Sequence, residues 1–318
     1  MMVSFKTYLA SDFIKVDRLI RKNLEPAGVL SNDLSVELYK SGGKKLRPTL
    51  SILAGKLGNP DRINDVYKVS ASLELLHMAT LVHDDIIDDS GLRRGRPTAY
   101  YKYGYFQAVN TGNLLLSTAV QMVSDIEHER FHKTYSAAIE QIVSGELLQF
   151  NHQFNENQTY DDYYKKIYRK TALLIVLSVE LGSYASNLDE VTMNHLTEFA
   201  HHIGVSFQII DDCLDFTGDE SELGKPKFSD LANGHYTLPV LLLRDKDEQF
   251  REQLTEFKNK PEMLDSLIEQ ILNSDVLEES LEISSDHYDE AIAHLSDIEQ
   301  PVKGYLLEIA EKLKKRLK

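Results

Sequence analysis

Leu73-Glu74-Leu75-Leu76-His77-Met78-Ala79-Thr80-Leu81-Val82-His83-Asp84-Asp85-Ile86-Ile87-Asp88 decides how this chain is read. The run from Leu73 to Val82 is too apolar for an exposed helix, yet it leads directly into an acidic pentad. On a helix Asp84 and Asp88 stack one turn apart, and His77, seven residues before Asp84, faces the same side. Asp84, Asp85, Asp88 and Asp89 crowd two turns at a helix end and repel one another unless something cationic neutralises them. An exposed acidic helix end is the bland alternative. The apolar flank weighs against it, because polar groups carried into a core need partners. A row of hard carboxylate oxygens suits Mg²⁺.

The pattern recurs at Asp211-Asp212-Cys213-Leu214-Asp215, behind the apolar Phe207-Gln208-Ile209-Ile210, with Gln208 on the Asp211 face. Two such helices suggest one metal site holding a diphosphate. The formal charge of −15 argues against general nucleic-acid binding, so clustered cations serve a local anion. Gly42-Gly43-Lys44-Lys45-Leu46-Arg47-Pro48 sets Lys44 and Arg47 three residues apart at a helix start behind flexible glycines. Arg93-Arg94-Gly95 follows the first pentad. Lys170-Thr171 opens an apolar stretch, and Gly224-Lys225-Pro226 with Asp230 follows the second pentad. Arginine pairs are usually solvated surface; their position beside metal ligands turns these towards anion binding.

Helical periodicity runs nearly end to end, predicting helices near 4–23, 31–40, 46–58, 64–89, 112–122, 129–150, 160–184 and 188–216. Beyond Thr237-Leu238-Pro239 the chain becomes charge-rich and amphipathic, with helices expected near 262–273, 276–297 and 301–317 forming a solvent-facing C-terminal subregion. Breaks fall at Gly42-Gly43, Asn59-Pro60, Gly91 to Pro97 and Gly218 to Pro226, none resembling an interdomain linker. The expectation is one all-α domain over 1–318, with a catalytic core over about 40–245 and the helical subregion over about 246–318. Thr171 to Ala185, interrupted by Glu180, is too short to span a bilayer easily and reads as a core helix. One cysteine excludes an internal disulfide framework, and the N-terminus lacks a secretory-leader pattern. Both fit a cytoplasmic protein.

Taken in order, Gly43 to Pro48, Asp84 to Asp88, Arg93-Arg94-Gly95, Lys170-Thr171, Gly204 to Asp215 and Gly224-Lys225-Pro226 resemble the trans-isoprenyl diphosphate synthases. Within that family the chain looks most like the large catalytic subunit of two-component heptaprenyl or hexaprenyl diphosphate synthases. The resemblance implies a single-domain helical bundle of the isoprenoid-synthase type with a deep central cavity. It implies three Mg²⁺ ions on Asp84, Asp88, Asp211 and Asp215, with Asp85, Asp212 and Asp215 in supporting or water-mediated roles. Arg93, Lys170, Thr171, Gln208 and Lys225 would hold an allylic diphosphate, farnesyl diphosphate by preference. Lys44, Arg47, His77 and Arg94 would hold isopentenyl diphosphate. Leu76, Ala79 and Thr80, one or two turns before Asp84, would set product length, and the small Ala79 and Thr80 point to a long product serving the menaquinone side chain. Expected partners are a second copy or a small regulatory subunit, with transient membrane contact for product release. A short-chain farnesyl or geranylgeranyl synthase, a class I terpene cyclase and a non-catalytic prenyl-binding subunit are the competing readings.

Three positions depart from the family pattern: Phe228 stands where Gly-Lys-Pro-x-Gly-x-Asp has glycine, His235 where many members have lysine, and Asn113 where aspartate follows glycine. His128-Glu129-Arg130-Phe131-His132 matches the zinc-protease pattern, but Ser124 and Glu127 read as a capping box that puts both histidines in exposed first turns. His83-Asp84 alone does not make a phosphohydrolase, so His83 is expected to be a local contact. Cys213 reads as a small packed side chain.

Overall fold

The computed structural model describes residues 4–24, 35–39, 45–93, 96–151, 153–218 and 227–315. The protein is all-α, and the described strands form one two-stranded antiparallel hairpin, β1 (Leu92–Arg93) and β2 (Arg96–Pro97). The helices used below are α1 (Ala10–Leu24), α2 (Leu46–Gly55), α3 (Ile63–Ile87), α4 (Tyr105–Met122), α5 (Phe131–Asn151) and α6 (Tyr160–Ile167). They continue with α7 (Leu173–Ser186), α8 (Glu190–Thr217), α9 (Leu238–Lys246), α10 (Glu248–Phe257), α11 (Leu264–Leu272), α12 (Val276–Ala293) and α13 (Val302–Lys314). Two compact units are formed: one from residues 1–137, 174–197 and 297–308, the other from 138–173, 198–296 and 309–318.

The first unit is organised on α3, which packs against α1, α2 and α4. Its buried residues, from Val66 through Leu75 and Ala79 to Val82, surround the helix instead of marking a stripe, as a central helix requires. Polar groups on α3 are satisfied within the core: the Ser70 hydroxyl lies 2.7 Å from that of Ser51, and Ser72 Oγ donates to the Ala119 carbonyl at 2.7 Å. Close approaches need small residues, since a Cβ on Gly182 would meet the Ser51 backbone and one on Gly112 the His83 ring. Arg62 Nε and the Asn59 N–H donate to the carbonyls of Ala185 and Ser186 at the end of α7.

The second unit buries Tyr163, Phe216, Tyr236, Phe250, Phe257 and Leu267 in a continuous apolar cluster. Arg244 is buried but paired, donating to the Glu156 and Gln158 carbonyls and to Asp245. The α8 and α12 backbones are tied by Ser284 Oγ, which donates to the Ser206 carbonyl at 3.0 Å.

Several elements differ from the sequence expectation. The 91–97 break is a hairpin, with Thr98 capping a single-turn helix, Ala99–Tyr103. Gly104, at φ 84°, redirects the chain so that α4 begins at Tyr105 and not near 112. Thr237-Leu238-Pro239 starts a helix, since proline near N1 loses no hydrogen bond; the sequence reading placed no helix over α9 and α10. The Ser124 capping box does not form. Ser124 Oγ donates back to the Gln121 carbonyl, α5 begins only at Phe131, and His128 stacks on Tyr184 at 4.6 Å. The two motif histidines therefore do not share a helix face. Among the described residues no helix is long and apolar enough to cross a membrane.

Candidate active site

The first pentad lies where α3 runs out. The helix ends at Ile87, Asp88 is the C-cap with its N–H on the Asp84 carbonyl at 2.8 Å, and Asp89 turns into the left-handed region at φ 48°. Asp88 is exposed and Asp84 half-buried, whereas Asp85 is buried on the opposite face. Asp85 accepts from Arg93 Nε at 2.6 Å across the turn, so the carboxylate and the β1 arginine fix each other. Burial nevertheless raises the Asp85 pKa, opposed by the Arg93 charge and hydrogen bond. Behind the pentad, Thr98 Oγ1 donates to the Ser90 carbonyl at 2.7 Å and holds the turn. His83 packs on Gly112, which bears out its reading as a local contact.

The second pentad sits in the last two turns of α8 and is packed differently. Asp212 is buried; Tyr163 Oη donates to one of its oxygens and Gln208 Nε2 to the other, both at 2.8 Å. Gln208 Oε1 in turn accepts from Thr171 Oγ1 at 2.5 Å. Gln208, read as sharing the Asp211 face, thus spends its amide on Asp212. Burial, with Asp230 nearby, pushes the Asp212 pKa up to about 7 despite these donors. Asp215 is fully buried and accepts from Ser229 Oγ at 3.1 Å and the Asp230 N–H at 3.2 Å, while its carbonyl takes the Phe228 N–H. Its oxygens thus hold the loop after α8. Asp211 is half-buried on the helix face. Cys213 is buried, as expected for a packed side chain.

Lys170 and Thr171 lie in a π-helical turn, Tyr168–Ala172, inserted between α6 and α7. The wider turn shifts the residues around it out of α-helical register and is a feature common at functional sites. Sequence reading missed Tyr163 and Lys166. Lys166 donates to the Tyr236 carbonyl at 3.1 Å, and burial lowers its pKa against the pull of Asp212 and Asp230. Tyr163, Lys166 and Lys170 recur at three and four residues, one helical stripe that would have flagged them.

Within the first unit, Arg47 is the second residue of α2, and His77, Leu76, Ala79 and Thr80 lie on α3. Leu76 and Ala79 are buried, and Thr80 Oγ1 donates to the His77 carbonyl at 2.8 Å. Lys44, Arg94 and Lys225 lie outside the described residues. Phe228 adopts φ 60°, ψ 15°, the left-handed conformation for which glycine stands in the family pattern. Its ring packs at 6.1 Å from Phe216, so apolar contact offsets backbone strain. Asn113 is exposed on α4, and nothing in the structure explains why asparagine stands there.

An all-α chain with two Asp-Asp-x-x-Asp helices, an arginine locked to the first and a Lys-Thr turn wired to the second has the marks of a diphosphate-handling transferase. It belongs to the polyprenyl synthetase family, whose model matches residues 30–274. The chain is 36% identical over 312 residues to heptaprenyl diphosphate synthase component 2 of Bacillus subtilis, covering 98% of this chain and 89% of that one. The crystal structure of heptaprenyl diphosphate synthase from Staphylococcus aureus superposes with a TM-score of 0.92 at 38% identity, covering 97% of this chain and 98% of the other. A polyprenyl synthase from Caulobacter crescentus complexed with calcium and isoprenyl diphosphate gives a TM-score of 0.89 at 29% identity, covering 98% and 97%. The chain is thus a trans-prenyltransferase that makes prenyl diphosphates, in a family whose catalysis uses divalent metal.

Proposed function

We propose that this chain is the catalytic component of a Mg²⁺-dependent, long-chain all-trans polyprenyl diphosphate synthase, extending farnesyl diphosphate with isopentenyl diphosphate to about C30–C40, heptaprenyl favoured. The observation that carries the reading is the pair of Asp-Asp-x-x-Asp helices, each with its second aspartate already committed to a protein donor. In this reading Asp84, Asp88 and Asp211 supply carboxylate oxygens, hard donors of the kind that suits Mg²⁺. Three bound ions would supply the charge that stabilises the departing diphosphate.

The chain's own groups do the rest. Arg93, anchored by Asp85, and Lys170 and Thr171, on the π turn, would grip the allylic diphosphate with Gln208 and Lys225. Lys44, Arg47, His77 and Arg94 hold isopentenyl diphosphate. The allylic C1–O bond breaks, the isopentenyl double bond attacks C1, and a proton is lost to the released diphosphate, so no protein base is needed. Apolar walls exclude the water that would end the reaction as an alcohol. The small side chain of Ala79 on α3, where a bulky ring would act as a floor, supports a long tail.

The similarity to a protein named component 2 favours a heterodimer with a small regulatory subunit over a homodimer. A cytoplasmic setting, transient membrane contact at product release and supply of the menaquinone side chain complete the reading. The test is to incubate purified chain with farnesyl and isopentenyl diphosphates and Mg²⁺, alone and with a small subunit, and to size the products. Weak activity that becomes C35 synthesis on adding the subunit is expected. Full long-chain synthesis by the lone chain would refute the partner, and farnesyl or geranylgeranyl diphosphate as end product would refute the chain length.

A further inference from the structure

Away from both pentads, α8 and α12 bring four histidines and a glutamate together within the second unit. Glu198 and His202 lie one turn apart on α8, and His294 follows the last turn of α12; one ligand atom from each falls within 4.8 Å of the others. The His202 and His294 rings stack at 5.9 Å and 17°. His202 Nδ1 lies 3.0 Å from Nδ1 of His287, another α12 residue, a hydrogen bond in which one ring donates and the other accepts. His201 sits edge-on to His202 at 5.2 Å. None of these residues takes part in the reaction proposed above.

We propose that Glu198, His202 and His294 form a transition-metal site of the zinc class, with His287 as the residue that orients His202. Two imidazole nitrogens and one carboxylate oxygen are a donor set for Zn²⁺, with Ni²⁺ and Cu²⁺ as competitors, and a poor one for Mg²⁺. The site therefore takes a different ion from the pentads. Imidazoles bind metal in their neutral form, through the ring nitrogen the supporting bond leaves to the ion. Carboxylates face these imidazoles: Glu198 and Glu290 at His202, and Asp286 and Glu290 at His287. Those negative charges also favour a divalent cation. The bond from His287 fixes the His202 ring, as the supporting bond behind a metal-bound imidazole does. Because His202 lies nine residues before Asp211 on one helix, about 13 Å along its axis, the ion would brace the helix that carries the second pentad.

The test is calorimetric titration of metal-stripped full-length protein with Zn²⁺ near neutral pH in excess Mg²⁺, repeated on variants whose helicity is verified by circular dichroism. One saturable site per chain is expected, with an accompanying rise in melting temperature. His202→Ala and His294→Ala should each weaken binding at least about tenfold, and His287→Ala by roughly 10–100-fold as a supporting residue. The exposed Glu198→Gln gives a variant that leaves the core untouched and should also weaken binding. His132→Ala, in the protease-like motif, should bind as wild type. No saturable Zn²⁺ binding by the wild type would overturn the proposal, as would wild-type affinity in Glu198→Gln and His294→Ala or loss of binding in His132→Ala.

Discussion

The two pentads have the same spelling and different surroundings, and the difference sorts their residues. The first ends its helix: Asp88 is a cap open to solvent, and the buried Asp85 is neutralised by a charged partner, Arg93. The second is inside its helix: Asp212 is held by neutral donors from Tyr163 and Gln208, and Asp215 accepts from the following loop. A repeated motif therefore does not repeat roles. Distance from a helix end, and what packs on each face, decides how exposed each carboxylate is and which donors it meets.

The largest effects should fall on the residues both pentads have in common. Asp84→Ala and Asp211→Ala should each lower condensation by about a thousandfold or more while leaving helical content intact. Substantial residual turnover in either would mean that the metal ligands are misassigned. Next comes a change confined to the first helix. Ala79→Tyr should shorten the product, and an unchanged chain-length distribution would show that α3 does not set it.

The committed aspartates should then separate. Arg93→Ala should cost more in turnover than in stability if, as proposed, the part-exposed Arg93 serves the substrate as well as Asp85. Tyr163→Phe should do the reverse, lowering stability by about 1–3 kcal/mol by removing a donor from buried Asp212. Equal patterns in the two variants, measured by denaturant titration and steady-state rate, would erase the distinction.

The smallest effect lies outside both pentads, at Glu180 on α7, whose pKa is raised by burial. The folded chain then binds that proton more tightly than the unfolded one. Stability from this group is greatest below the ordinary carboxylate pKa and falls as pH rises through the raised one. Glu180→Gln should melt about 2 °C higher than wild type at neutral pH and level with it in acid. A difference independent of pH would assign the effect to packing.

Much of this was legible in the sequence because α3 and α8 advertise themselves by apolar periodicity, and because stacked aspartates have few benign explanations on a buried helix. What was not legible depended on tertiary contact. The π turn at Tyr168–Ala172 leaves no mark in periodicity, and the Thr171–Gln208–Asp212 relay joins residues far apart in the chain. The left-handed backbone of Phe228 contradicts its residue type and is sustained by its packing on Phe216. Ser124 and Glu127 misled because a capping-box spelling also suits a turn that bonds backwards.

Asp211→Asn against Asp215→Asn, compared by Mg²⁺ titration of diphosphate release from the allylic substrate and by thermal melting, tests the inequality within the second pentad most directly. Asp211→Asn should abolish release or greatly raise the Mg²⁺ requirement with little change in melting temperature. Asp215→Asn should melt several degrees lower with its Mg²⁺ half-saturation unchanged. A raised Mg²⁺ requirement in Asp215→Asn, without loss of stability, would return that residue to the metal and contradict the account.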